Sequence, residues 1–190
     1  LDDPGKSMRN IARDASLLGI FALGAGIVIV SGGIDLSSGS VIAFCGSVCA
    51  LVMMACAPTN EIGMPSVSKI GAGAIVLAIV VTMIVGLMIG TLHAWLVTAV
   101  RLPPFVATLA SLVGLRSLAK VFNPAVSELL GSSQTTIRAN SPAFETLSQW
   151  WVPLVVFLAL SLACYILMSR TVLGRHIYAM GGNEEAARLS

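Results

Sequence analysis

The chain has 190 residues, of which 56% are hydrophobic and 11% charged, with a formal net charge of +2. Soluble domains carry about a quarter charged residues, so this composition, with a mean hydropathy of +0.92, describes an integral membrane protein. No basic cluster or aromatic-rich surface suggests nucleic-acid binding.

Residues 1–14 are polar and mixed in charge, without an initiator Met or a signal-peptide pattern. The chain is expected to be part of a longer protein. Between Asp14 and Asp35 no residue is ionisable, and the run 15–34 is long enough to cross a bilayer. Gly19, Gly24 and Gly26 would let a neighbouring helix approach closely.

The sequence SGGIDLSSGS (31–40) follows. Gly32 and Gly33 are helix stoppers, and Asp35 or Ser37 can cap the next helix. Two readings of Asp35 stand side by side. It caps a tight turn, or it lies in a helix break facing a permeation path or subunit seam, because an ionisable group between apolar runs must be paired or wet.

A second spanning segment is expected at 36–57, then a short polar loop to Lys69, then a third at 70–100. Cys45, Cys49 and Cys56 share one helical face but have no His, Asp or Glu beside them. They read as small apolar filler, not metal ligands. Gly86 and Gly90 form a weak GxxxG packing signal. His93 reads as a hydrogen-bonded packing residue, not a proton carrier.

Arg101-Leu102-Pro103-Pro104 breaks the chain, and Pro104 can open a helix. A fourth membrane segment is expected at 105–121, with Thr108 and Ser111 on one face. Those hydroxyls either line a polar path or bond their own backbone. Residues 122–150 are polar and read as the one long aqueous loop. Trp150 and Trp151 suit a membrane interface, and 152–169 forms the last span.

The terminal stretch 171–190, TVLGRHIYAMGGNEEAARLS, is water-soluble in character. Gly181 and Gly182 can break the backbone and Asn183 can cap a new helix. Glu184 and Glu185 then fall in its first turn, where the helix dipole favours acids. Ala186, Ala187 and Arg188 continue it. A helix this short needs a partner to brace it.

The motif GRxIYAxGGNEEAARLS resembles the cytoplasmic coupling loop of the ribose-type sugar permeases of bacterial ABC importers. The matching positions are Gly174, Arg175, Tyr178, Gly181, Gly182, Asn183, Glu184, Ala186, Ala187, Arg188, Leu189 and Ser190. GGIDLSxGS and PPFVATL resemble two further signatures of that family, in the family's order. His93-Ala94 and Ser117 stand where the family usually has Asn-Gly and a Gly after Arg116.

The resemblance implies an all-α transmembrane permease, with about five spans here out of an expected ten-helix, type II-like importer fold. It implies that the short helix of 171–190 docks on a separate ABC ATPase subunit, with Glu185 in the docking element. It also implies a periplasmic or extracellular sugar-binding protein meeting 122–150, a second permease copy or paralogue, and residence in the bacterial inner membrane. No GxxxxGK[ST] loop occurs in the sequence, so ATP is expected to be bound by the partner. No catalytic residue, cofactor or metal is expected on this chain. Asp35, Ser37, Thr108 and Ser111 are the candidates for the solute path.

With the coupling loop inside, five crossings place Lys6, Arg9 and Arg13 outside, against the positive-inside rule. A re-entrant 105–115 would reduce the count to four and bring them inside. The family fold favours five. A secondary transporter with broken helices is the alternative function, although it would not need the coupling motif.

Overall fold

The computed structural model describes residues 4–59, 61, 65–66, 69–129, 141–183, 185 and 187. Among the described residues seven helices follow one another: α1 Pro4–Val30, α2 Ser38–Ala55, α3 Ala72–Thr98, α4 Pro104–Leu129, α5 Pro142–Leu147, α6 Trp151–Arg170 and α7 Val172–Gly182. Five of them (α1, α2, α3, α4 and α6) are long and apolar enough to cross a membrane. Their hydrophobic faces are largely uncovered within the chain, as expected of helices whose surroundings are lipid or further protein.

The chain divides into two compact units, one formed by 1–35 with 148–190 and the other by 36–147. In the first unit α1 and α6 pack side by side and run in the same direction. Gly19 of α1 lies against the Phe157 ring, leaving no room for a Cβ. Further along, Gly26, Ile27 and Val30 share a cleft with Cys164, Tyr165 and Met168. Gly19 is therefore the small residue that brings the two helices together; a Cβ on Gly24 or Gly26 would meet nothing within 4 Å.

In the second unit α2 is the central helix. It runs antiparallel to α3, with Cys45 facing Gly86 and Met53 packed with Ile70, Ile75 and Ala78. Cys49 joins that apolar cluster. It runs parallel to α4: Ser40 meets Ser111, the rings of Phe44 and Phe122 lie 6.4 Å apart, and Asn123 Nδ2 donates to Ser47 Oγ at 3.0 Å. Of the GxxxG pair, only Gly86 faces a neighbour; a Cβ on Gly90 would meet open space. By length and composition α4 is long and apolar enough to cross a membrane by itself.

Three boundaries differ from expectation. The first helix starts at Pro4, not near residue 15, and ends at Val30. Its end is a Schellman motif: Gly32 has φ +81°, Gly32 N–H donates to Ile29 O and Gly33 N–H to Val28 O. Both hydrogen bonds use carbonyls the helix would otherwise leave unpaired, and the left-handed residue is a glycine. Residues 31–34, expected in the span, are thus outside the helix.

The fourth helix runs past 121 to Leu129 and includes Pro124. Proline removes one i→i−4 bond, but the Asn123–Ser47 and Phe122–Phe44 contacts hold this stretch against α2. The expected aqueous loop 122–150 therefore begins later and contains α5; residues 130–140 lie outside the described residues. Finally, α7 starts at Val172, where only a later, shorter helix was expected. The break between α3 and α4 is where Pro103 predicts it, with Arg101 at φ 62°.

Candidate coupling site

Thr171 is the joint between the last span and α7. Its Oγ1 donates to Leu167 O at 2.6 Å and accepts from Gly174 N at 3.2 Å. One hydroxyl thus satisfies a carbonyl at the end of α6 and an amide at the start of α7. Extended backbone at Thr171 (φ −106°, ψ 160°) turns the chain between the helices. A threonine before VLG is an N-cap signal that the glycine-based reading overlooked.

Gly174, Ile177 and Gly181 fall on one face of α7 by their spacing of three and four. Gly174 and Ile177 are buried. A Cβ on Gly174 would collide with the carbonyls of Leu167 and Met168, and one on Gly181 with the carbonyl of Val30. The helix therefore lies backbone to backbone against the ends of both α6 and α1. Among the described residues, nothing lies within 4 Å of where a Cβ on Gly182 would stand. Arg175, His176 and Tyr178 are exposed.

The glycine pair does not break the helix, contrary to expectation. Gly181 and Gly182 form the last turn of α7, because Gly181 packs on α1 and Asn183 N–H bonds Ala179 O at 3.0 Å. The break falls at Asn183, whose backbone is extended (φ −162°, ψ 106°). Ala187 N–H then donates to Asn183 O at 3.0 Å, so a new helical turn starts where Asn183 was expected to cap one. Glu185 is helical and exposed, and Ala187 is half-buried. Glu184, Ala186, Arg188, Leu189 and Ser190 lie outside the described residues.

The four path candidates fall into two groups. Asp35 is half-buried in the irregular segment between α1 and α2. Ser37 is fully buried and holds the N-cap position of α2, but its side chain makes no capping hydrogen bond. Its carbonyl instead accepts from Ser40 Oγ at 2.7 Å. In the other group, Thr108 is buried and Oγ1 donates to Pro104 O at 2.9 Å, the self-bonding alternative. Ser111 Oγ lies 2.6 Å from His93 Nε2, so His93 is a hydrogen-bonded packing residue that ties α3 to α4. Sequence spacing placed Thr108 and Ser111 together, but it could not show that Ser111 pairs with His93.

Thr171→Val keeps the shape of the side chain and removes both hydrogen bonds. It should weaken the start of α7 by about 1 kcal/mol, as for other lost N-caps. Hydrogen exchange should report it as faster exchange at the Gly174 amide, with the spans unchanged.

Five membrane-competent helices, with the shorter α7 seated across the ends of two of them, define a multi-spanning membrane protein. The chain belongs to the family described as the branched-chain amino acid transport system / permease component, whose model matches residues 7–190. It is 32% identical over 125 residues to a ribose import permease protein of Haemophilus influenzae, covering 61% of this chain and 36% of that protein. It is 34% identical over 123 residues to an inner membrane ABC transporter permease protein of Escherichia coli, covering 60% of this chain and 34% of that protein. A galactose/methyl galactoside import permease protein of the same organism is 27% identical over 125 residues, covering 61% of this chain and 35% of that protein. The chain thus spans about a third of the length of the curated relatives it matches. No solved structure matches it.

Proposed function

We propose that this chain is part of the permease subunit of a bacterial ABC importer, carrying a sugar or related small polar solute inward across the inner membrane. A separate ATPase subunit would supply the energy, and an external binding protein would deliver the solute. The path would run between two permease copies or paralogues. On this reading the chain itself performs no catalysis and binds no cofactor.

The observation that carries the proposal is the seat of α7. Backbone contact at Gly174 and Gly181 joins it to α6 and α1 at once, and Thr171 leaves no slack in the link to α6. A force applied beyond Asn183 would reach both membrane helices without being absorbed in side-chain rearrangement. Membership of a transport-system permease family and the names of the sugar permease relatives support the same reading. A secondary transporter has no use for such a helix.

The test is reconstitution of the complete protein in liposomes with its candidate ATPase and binding protein, followed by uptake over a sugar panel. Uptake should require ATP inside the liposome compartment that holds the ATPase, and should be insensitive to collapse of ion gradients. Uptake that persists without ATP and disappears with an ion gradient would establish the secondary-transporter alternative.

A further inference from the structure

At the end of the first unit opposite α7, the starts of α1 and α6 enclose a cleft of about 330 Å³. Lys6, Arg9, Asn10 and Arg13 of α1 line it, with Gln149 and Trp150 from the start of α6. Among the described residues lining it, the charged ones are all cations. Spacings of three and four place Lys6, Arg9 and Arg13 on one helical face. Arg9 uses Nε on Gly5 O at 3.0 Å, which leaves its terminal amino groups for a ligand. Arg13 Nε meets Asp14 Oδ1 at 3.3 Å, but both side chains are exposed, so this pair neutralises little.

Length sets the depth of the cleft. The 27 residues of α1 make a helix about 40 Å long, against a hydrocarbon core of about 30 Å. The uncharged part lies toward Val30, so the first turns, with the three cations, stand at headgroup level. Trp150 and Trp151 mark the same level on α6, as aromatic residues do at membrane interfaces. Uncompensated, three cations at one boundary would repel one another. A phosphate diester carries the charge and the acceptor oxygens that a guanidinium fork matches.

We propose that this cleft binds the phosphate of an anionic phospholipid headgroup, with Lys6, Arg9 and Arg13 as its ligands and Trp150 packed beside it. A free phosphate ion offers the same oxygens. The lipid is favoured because the cleft sits at the end of two membrane-spanning helices beside an interfacial tryptophan pair, where diester headgroups are concentrated. The inference needs only that α1 and α6 cross the membrane, and it stands independently of the transport reading.

The complete protein, purified in neutral detergent after equilibration in nanodiscs of phosphatidylethanolamine with phosphatidylglycerol, tests it by native mass spectrometry of retained lipid. Lys6→Gln, Arg9→Gln and Arg13→Gln should each lower phosphatidylglycerol retention about fivefold, the equivalent of about 1 kcal/mol per cation near a charged surface. The triple variant should lose it almost wholly. Arg116→Gln, which removes a cation elsewhere on the chain, should leave retention unchanged. The single variants decide the matter should the triple variant fail to insert. Unchanged retention in all three would overturn the site, as would an equal loss in Arg116→Gln. Saturable binding of inorganic phosphate that depends on these residues, without lipid retention, would overturn the lipid assignment in favour of a soluble anion.

Discussion

Gly181→Val is expected to abolish coupled uptake while leaving the protein in the membrane. A Cβ at this position would run into the carbonyl of Val30, and a backbone oxygen in a capped helix end cannot move aside as a side chain would. Overpacking of this kind costs about 1–3 kcal/mol, and the way to relieve it is to lift α7 off the end of α1. The link between α7 and one of its two spans is then lost. Uptake in liposomes should fall about tenfold or more, since each 1.4 kcal/mol of a coupled equilibrium is worth a factor of ten. Gly182→Ala is the control. A Cβ there meets none of the described residues within 4 Å, and its uptake should stay near normal. Normal uptake in Gly181→Val, with membrane insertion confirmed, would mean that motion does not pass through this contact.

Glu185→Lys is expected to uncouple transport for a different reason. Glu185 is exposed in the helical turn that starts at Asn183. Reversing its charge near a helix N-terminus changes local stability by only about 0.3–1 kcal/mol. A much larger loss of uptake therefore reports a contact with another protein, not an unfolded turn. We expect uptake to fall about tenfold or more, which is beyond what 1 kcal/mol can produce, together with weaker co-purification of the ATPase. Glu185→Gln, which keeps the shape and removes the charge, should lie between wild type and Glu185→Lys. Wild-type uptake and ATPase retention in Glu185→Lys would remove Glu185 from the docking element.

The two variants fail at different places, and the ATPase separates them. Gly181→Val should still hold the ATPase, because its outer surface is intact. Glu185→Lys should not. On the proposed function, the pair therefore distinguishes a broken transmission within this chain from a broken grip on a driving ATPase.

Composition and apolar run length by themselves determined that the chain is an integral membrane protein; run length and charge left four or five crossings open, and the family resemblance pointed to five. An uncharged run long enough to cross hydrocarbon has few alternatives to a helix, because its backbone groups must pair within the segment. Gly32 and Gly33 ended α1 as read, because a left-handed helix cap is a local matter for which glycine is suited. Pro103 and Pro104 set the break before α4 for an equally local reason. The motif in 171–190 pointed to a permease family before its fold was in view.

Tertiary structure alone decided the rest. Gly181 and Gly182 look like breakers in sequence, yet they finish α7, because contact with the carbonyl of Val30 rewards the absence of a side chain. Pro124 looks like a helix end, yet α4 continues to Leu129, where Phe122 and Asn123 are held by Phe44 and Ser47. Ser111 reads in sequence as lining a polar path or bonding its own backbone, yet its hydroxyl meets His93 Nε2. In each case the deciding partner lies on another helix, at least 18 residues away in the chain. Local preference for Gly and Pro is worth about 1 to 3 kcal/mol, and a few long-range contacts of similar size are enough to reverse it.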